Sequence, residues 1–147
     1  MNILFFLTPK SEVACITEDM TLRQALEKME NHRFTCIPVL GADGRYVGTI
    51  TEGDLLWAIK NQYNLNLREA ERLPITDVRR KRDYMPVYVN ETVEGMFNLA
   101  MSQNFVPVVD DRRMFIGIIT RKDILQYCYK TWMEKDVREN GTKEEER

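Results

Sequence analysis

The sequence predicts an α/β (α+β) fold of two pseudo-symmetric β-α-β-β-α repeats, packed sheet to sheet around a cleft between them. Three observations carry this expectation. Pro38-Val39, Gly48-Thr49-Ile50-Thr51 and Asp54 reappear as Pro107-Val108, Gly117-Ile118-Ile119-Thr120 and Asp123, always 69 positions later (38 to 107, 54 to 123). The order of apolar runs, turns and helix-start signals is the same in both copies. Finally, 147 residues suffice for one packed unit, whereas either copy alone would have too little core.

The elements follow in order. A short strand is expected around Val13 to Ile16. A helix opens at about Thr21, where Thr21 and Gln24 have the form of a capping box and Leu22, Ala25, Leu26 and Met29 share one helical face. Phe34 to Leu40 is an apolar run suited to a buried strand. Gly41 to Gly44 forms a turn on the hairpin dipeptide Asp43-Gly44. Tyr46 to Ile50 supplies the next strand, and Thr51 opens a second helix through Leu55, Leu56 and Ile59.

The second copy repeats this order. Val87 to Val89 is a strand, Thr92 to Met101 a helix, Phe105 to Val109 a strand, Asp110 to Arg113 a turn, Phe115 to Ile119 a strand and Thr120 to Tyr129 a helix. It is two residues shorter between helix and proline (21 to 38 against 92 to 107). Between the copies, Asn61 to Pro74 reads as an ordered connector, helix-prone around Leu67 to Leu73 and without Gly or Ser. The tail from Lys135 is almost wholly polar and expected to fray, leaving Trp132 and Met133 as the last packed residues. The expected divisions are 1–66, repeat 1 with its N-terminal strand; 67–133, connector and repeat 2; and 134–147, a polar tail.

Composition excludes several classes. With 44% apolar and 30% charged residues the chain should fold, and a net charge of −2 gives no global drive toward nucleic acid or an anionic membrane. The N-terminal apolar stretch Ile3 to Leu7 falls far below the roughly 20 residues that span a bilayer, and it lacks a basic n-region. Cys15, Cys36 and Cys128 are odd in number and widely spaced, which argues against a disulfide framework or a zinc site. A reducing cytoplasm is the expected compartment.

Each Thr-x-x-Asp element sits where a strand hands over to a helix. Threonine at the N-cap and an acidic residue at N3 close a capping box, which needs no ligand. The same place offers free amides and a positive dipole end to phosphate, and an Asp just inside the helix can accept both hydroxyls of a ribose. Both readings stand for the element alone.

Duplicated in register behind Pro-Val, a turn and a Gly-started apolar strand, the element resembles the cystathionine β-synthase (CBS) domain family. Its members occur in tandem as a Bateman module. The resemblance covers about Thr8 to Tyr129, and the chain looks similar to small stand-alone bacterial CBS-pair proteins. It implies a regulatory fold binding adenosine ligands such as AMP, ADP, ATP, S-adenosylmethionine or cyclic di-AMP in up to two clefts; the leading expectation is a non-catalytic sensor with no required cofactor, and no P-loop, Rossmann fingerprint or metal-ligand motif is present. It also implies a homodimer formed through the helices and an effector protein not named by the sequence.

By that resemblance each cleft takes its ribose Asp and phosphate Thr from one repeat and much of its adenine pocket from the other. The first cleft would join Ile118, Thr120 and Asp123 to Thr8, Val13, Ala14, Phe34, Thr35, Cys36, Ile37 and Pro38. The second would join Thr49, Thr51 and Asp54 to Arg79, Tyr84, Met85, Pro86, Asn104, Phe105, Val106 and Pro107. Arg121 and Lys122 follow Thr120, where Glu52 and Gly53 follow Thr51, so the first cleft is expected to attract phosphates and the second to repel them. The two-residue deletion also alters the second cleft's wall.

Arg79-Arg80-Lys81-Arg82 has three readings: a solvated basic turn, a charge supply leaning over the second cleft, or a nucleic-acid patch. His32 is expected at a helix end and Cys36 as a small buried apolar residue, while Trp57 is expected to pack. Leu55, Leu56 and Ile59, with Ile124, Leu125 and Tyr127, fit either a dimer face or the internal core. Three functions are weighed: a nucleotide sensor, a scaffold with empty clefts, and an enzyme, which lacks a positioned base or nucleophile.

Overall fold

A computed structural model describes residues 1–80 and 83–145. Lys81 and Arg82 of the basic run, and the last two residues of the tail, lie outside the described residues. In the first half, β1 (Thr8–Pro9), β2 (Ile16–Thr17), α1 (Leu22–His32), β3 (Cys36–Leu40), β4 (Tyr46–Thr51) and α2 (Glu52–Tyr63) follow one another. A short α3 (Leu67–Ala70) leads to β5 (Val87–Tyr88), α4 (Val93–Ala100), β6 (Phe105–Val109), β7 (Phe115–Thr120) and α5 (Arg121–Glu145).

Two small sheets result, one ordered β2-β3-β4 and the other β1-β7-β6-β5. β2 pairs β3 in parallel and β3 pairs β4 antiparallel, with Cys36 opposite Thr51 and Pro38 opposite Thr49. The same ladder recurs with Phe105 opposite Thr120 and Pro107 opposite Ile118. The repeat read in the sequence is therefore a repeat in hydrogen-bond register.

The helices start where the caps place them. Thr21 and Gln24 form a reciprocal capping box for α1, Thr51 and Asp54 one for α2, and the Thr92 hydroxyl accepts the Gly95 N–H at α4. Alternation along β3 sends Ile37 and Val39 into a core with Ile16, Leu22, Met29, Ile50 and Leu55. Val106 and Val108 of β6 do the same with Val87, Met96, Ile119 and Ile124. The opposite strand faces meet between the halves, where Leu40, Tyr46, Val109 and Phe115 form one cluster and Cys36, Tyr84 and Phe105 another. Ile118 packs against both clusters.

The lead-in of each half packs into the other. Ile3 and Phe6 lie in the second half's core, Phe6 meeting Phe97 and Tyr127 edge to face at 6.0 and 5.1 Å. Leu73, Ile75 and Val78, following α3, lie in the first half's core. Each such buried aliphatic is worth about 1.5–3 kcal/mol, so the halves hold each other by hydrophobic burial. The hairpin tips interlock as well: Tyr46 N–H donates to the Arg113 carbonyl (3.2 Å) and Phe115 N–H to the Gly44 carbonyl (3.0 Å). Gly44 and Arg113, equivalent residues, both adopt a left-handed conformation with φ of 88° and 64°.

Three expectations change. The tail does not fray within the described residues, because α5 runs to Glu145, an extension rich in Lys, Glu and Arg, all good helix formers. Trp132 is 61% exposed, since α5 has by then left the domain surface. Trp57 is 49% exposed on the outer face of α2 with the Lys60 ammonium 5.5 Å from its ring centre. Of the six apolar helix residues, Leu55 and Ile124 are internal core, while Leu56 and Leu125 are exposed.

Candidate functional site

The site is built upward from the two strand-to-helix junctions. At the first, Thr51 N–H donates to Asp54 Oδ2 (3.0 Å) and Asp54 N–H donates to Thr51 Oγ1 (3.1 Å). Asp54 is only 4% exposed. At the second junction, Asp123 N–H donates to Thr120 Oγ1 (3.2 Å), half of the same box. The partly exposed Asp123 carboxylate makes no hydrogen bond or ion pair among the described residues. One carboxylate closes a cap and the other is open to an incoming donor.

The strand that leads into Thr120 and Asp123 is shared between the halves. β1 pairs antiparallel with β7, setting Thr8 opposite Ile118 and Pro9 opposite Gly117. The approach is close enough that a Cβ on Gly117 would lie 2.2 Å from the Thr8 carbonyl oxygen. Ile118 and Val13 both pack against the Leu40, Tyr46, Val109 and Phe115 cluster, and Ile118 also packs against the cluster that holds Cys36. Thr8, Val13, Cys36 and Ile118 are thus brought together. Phe34 and Thr35, at the mouth of β3, are exposed, with Phe34 stacked on His32 at 5.6 Å. Pro38 is buried on the inter-half side of β3. Ala14 is partly buried and packs on the first core, while the Ile37 side chain lies wholly within that core.

Arg121 departs from its expected task. Its Nε donates to the Ala100 carbonyl (2.7 Å) and an Nη to that of Met101 (3.3 Å), at the negative end of α4. Lys122, two residues after Thr120, is exposed.

The second cleft is arranged differently. Thr49 is fully buried, and its hydroxyl lies 2.7 Å from that of Tyr46, which donates to the Tyr84 carbonyl (2.9 Å). Burial pushes the Tyr46 phenol well above its ordinary value and raises that of Tyr84. The Tyr84 ring is 8% exposed, meets Phe105 edge to face at 5.0 Å, and its hydroxyl accepts the Asn104 N–H (3.2 Å). Asn104 Nδ2 and the Tyr84 hydroxyl both approach Cys36 Sγ, at 3.6 and 3.9 Å. Val106 lies in the helix-facing core, Pro107 is buried, Pro86 is half-buried and Met85 is exposed.

The basic run is only partly at hand. Arg79 lines a groove of about 280 Å³ with Trp57, Ala58, Asn61 and Gln62 of α2. Arg80 pairs with Asp83 at 2.5 Å, and the pair lies against Gly48 as Thr8 lies against Gly117. Two residues escaped sequence reasoning. Gln103, 3% exposed, clamps Met85 by accepting its N–H (2.8 Å) and donating to its carbonyl (3.1 Å). Tyr46 is the other, and comparison with its repeat equivalent Phe115 exposes the added hydroxyl. Among the described residues no helix is long and apolar enough to cross a membrane, and no group of three or more His, Cys, Asp or Glu is placed to hold a metal ion.

Comparison with known proteins agrees with this architecture. The chain is 24% identical over 121 residues to cyclic di-AMP receptor B of Bacillus subtilis, covering 82% of each. It is 27% identical over 124 residues to an uncharacterised protein of Methanocaldococcus jannaschii, of which it spans 44%. The fold matches the crystal structure of CbpB in complex with c-di-AMP with a TM-score of 0.81, at 24% identity, covering 94% of this chain and 91% of that one. The CBS domain model matches twice, over residues 6–61 and 67–130, one match for each structural repeat. The chain therefore belongs to the CBS domain family.

Proposed function

We propose that this chain is a non-catalytic regulatory module that takes an adenosine-containing nucleotide (AMP, ADP, ATP or cyclic di-AMP) in the Thr120–Asp123 cleft and passes its occupancy to a partner protein. The observation that carries the reading is the unengaged Asp123 carboxylate at the head of α5, which follows directly on β7, the strand whose Ile118 pairs with Thr8 and packs on the clusters that hold Val13 and Cys36. A carboxylate there accepts both hydroxyls of a ribose, and the helix amides with the Thr120 hydroxyl suit phosphate. The names of the relatives favour cyclic di-AMP among these ligands.

Chemistry on the nucleotide finds little support. Cys36 is buried beneath Tyr84 and Asn104, and the chain's one histidine stacks on Phe34. The exposed apolar residues Leu56 and Trp57 of α2 and Leu125 and Tyr129 of α5 support a homodimer contact. They also favour the second reading, a dimerising scaffold with unused clefts. Three free cysteines support a reducing, cytoplasmic setting. The divisions 1–66, 67–133 and 134–147 remain our assignment of repeats and tail.

Calorimetric titration with AMP, ADP, ATP, S-adenosylmethionine and cyclic di-AMP tests the proposal. Saturable binding lost in Asp123→Ala supports the sensor. No heat with any of the five leaves the scaffold.

A further inference from the structure

We infer that the Asp54 cleft is closed by the chain's own side chains, Tyr84 and Phe105 locked by Gln103 and Tyr46, so that each chain offers a single nucleotide site. The inference rests on the proposed use of the Asp123 cleft, and it goes further by assigning residues that set the number of ligands.

Strand register equates Cys36 with Phe105 and Ile118 with Thr49, each pair opposite its repeat's matching residue. Counting back from the equivalent strands at Ile16 and Val87 equates Val13 with Tyr84. Where the first cleft has the small pair Val13 and Cys36, the second has two aromatic rings in edge-to-face contact at 5.0 Å. Aromatic side chains bury far more surface than Val or Cys, so the two rings bring bulk at positions where the first repeat carries only Val13 and Cys36.

The rings are also fastened. Phe34, exposed at the first mouth, is replaced at the second by buried Gln103, whose amide holds both backbone groups of Met85, the residue after Tyr84. Phe115 and Ile118 of the first cleft offer no hydroxyl, whereas Tyr46 and Thr49 form a buried pair that holds the Tyr84 carbonyl. Opening this cleft would leave buried donors and acceptors unpaired, which is costly. Asp54, already bound into its capping box, adds no reason to open it.

Two measurements test this. The first is titration of the full chain and of Tyr84→Val/Phe105→Cys, which restores the first cleft's residues, with AMP and with cyclic di-AMP. One class of site in the unaltered chain, and a second class in the folded variant that disappears on adding Asp54→Ala, is expected. Two AMP per unaltered chain, or a folded variant without a second site, overturns the inference. The second measurement needs no ligand: the Met85 amide should exchange on the order of a hundredfold more slowly than in Gln103→Ala. Fast exchange in the unaltered chain overturns the closure. Slow exchange with no nucleotide bound by the unaltered chain would instead sink the sensor proposal and leave the closure standing.

Discussion

Tyr46 and Phe115, equivalent residues of the two repeats, stack on each other across the pseudo-two-fold at 6.2 Å with 24° between their planes. Their backbones are tied just as symmetrically, through the hydrogen bonds to Arg113 and Gly44. Only the Tyr46 hydroxyl breaks the symmetry. It holds the Tyr84 carbonyl and shares a hydrogen bond with Thr49, so the asymmetry between the clefts begins at the axis.

Tyr46→Phe is expected to lower unfolding free energy by about 1–3 kcal/mol, because it leaves the fully buried Thr49 hydroxyl without its partner. Adding Thr49→Val should recover much of that loss. Urea unfolding of the three chains checks it, and an unchanged midpoint in Tyr46→Phe contradicts the assigned role.

Asp123→Ala and Asp54→Ala should separate affinity from stability. The first removes a carboxylate that caps nothing, so nucleotide affinity should fall at least about tenfold while stability changes by only about half a kcal/mol. The second breaks a capping box and should cost about 1 kcal/mol. Thermal melts beside titrations decide it, and a larger loss of binding at Asp54 would reverse the assignment.

Gly117→Ala should cost about 1–3 kcal/mol, because a methyl group cannot fit 2.2 Å from the Thr8 carbonyl without moving β1. Thr8 would leave Ile118, so nucleotide binding should weaken as well. Melting and titration of this variant measure both effects.

Alkaline pH should weaken the fold. Burial pushes the Cys15 thiol up from 9.0 to about 11, against the lowering influence of Lys28 and Lys10. Between pH 9 and 11 the folded state therefore holds a proton that the unfolded state has lost, and stability falls as pH rises through that window. The raised phenols of Tyr46 and Tyr84 act in the same direction. Cys15→Ala should flatten the decline in denaturation midpoint between pH 9 and 11. At neutral pH exposed Cys128 should be alkylated well before Cys15.

Much of this was legible in the sequence, because the repeat fixes register: 38 with 49 and 107 with 118 oppose one another as the motif spacing implies. The capping boxes at Thr21 and Thr51 were legible for the same local reason. Other features depend on contacts between distant segments. Arg121 reads as a phosphate ligand until α4 ends within its reach, and Gln103 reads as a loop residue until Met85 arrives opposite it. Ile37 and Pro38 are neighbours in sequence, but the strand pleat sends them to opposite faces. The polarity of the tail reads as fraying, yet these residues propagate a helix already started, so α5 runs on to Glu145.

The exchanged lead-ins make the two halves a pair of clasped hands. Ile3 and Phe6 belong to a core built from residues up to Ile124, and Leu73, Ile75 and Val78 belong to one built from Ile16 onward. Neither half is then a separable module, and melting should be a single event rather than two. Damage at residues 3–8 would be felt at the opposite end of the chain, where β1 edges β7 and Thr8 flanks the Asp123 cleft.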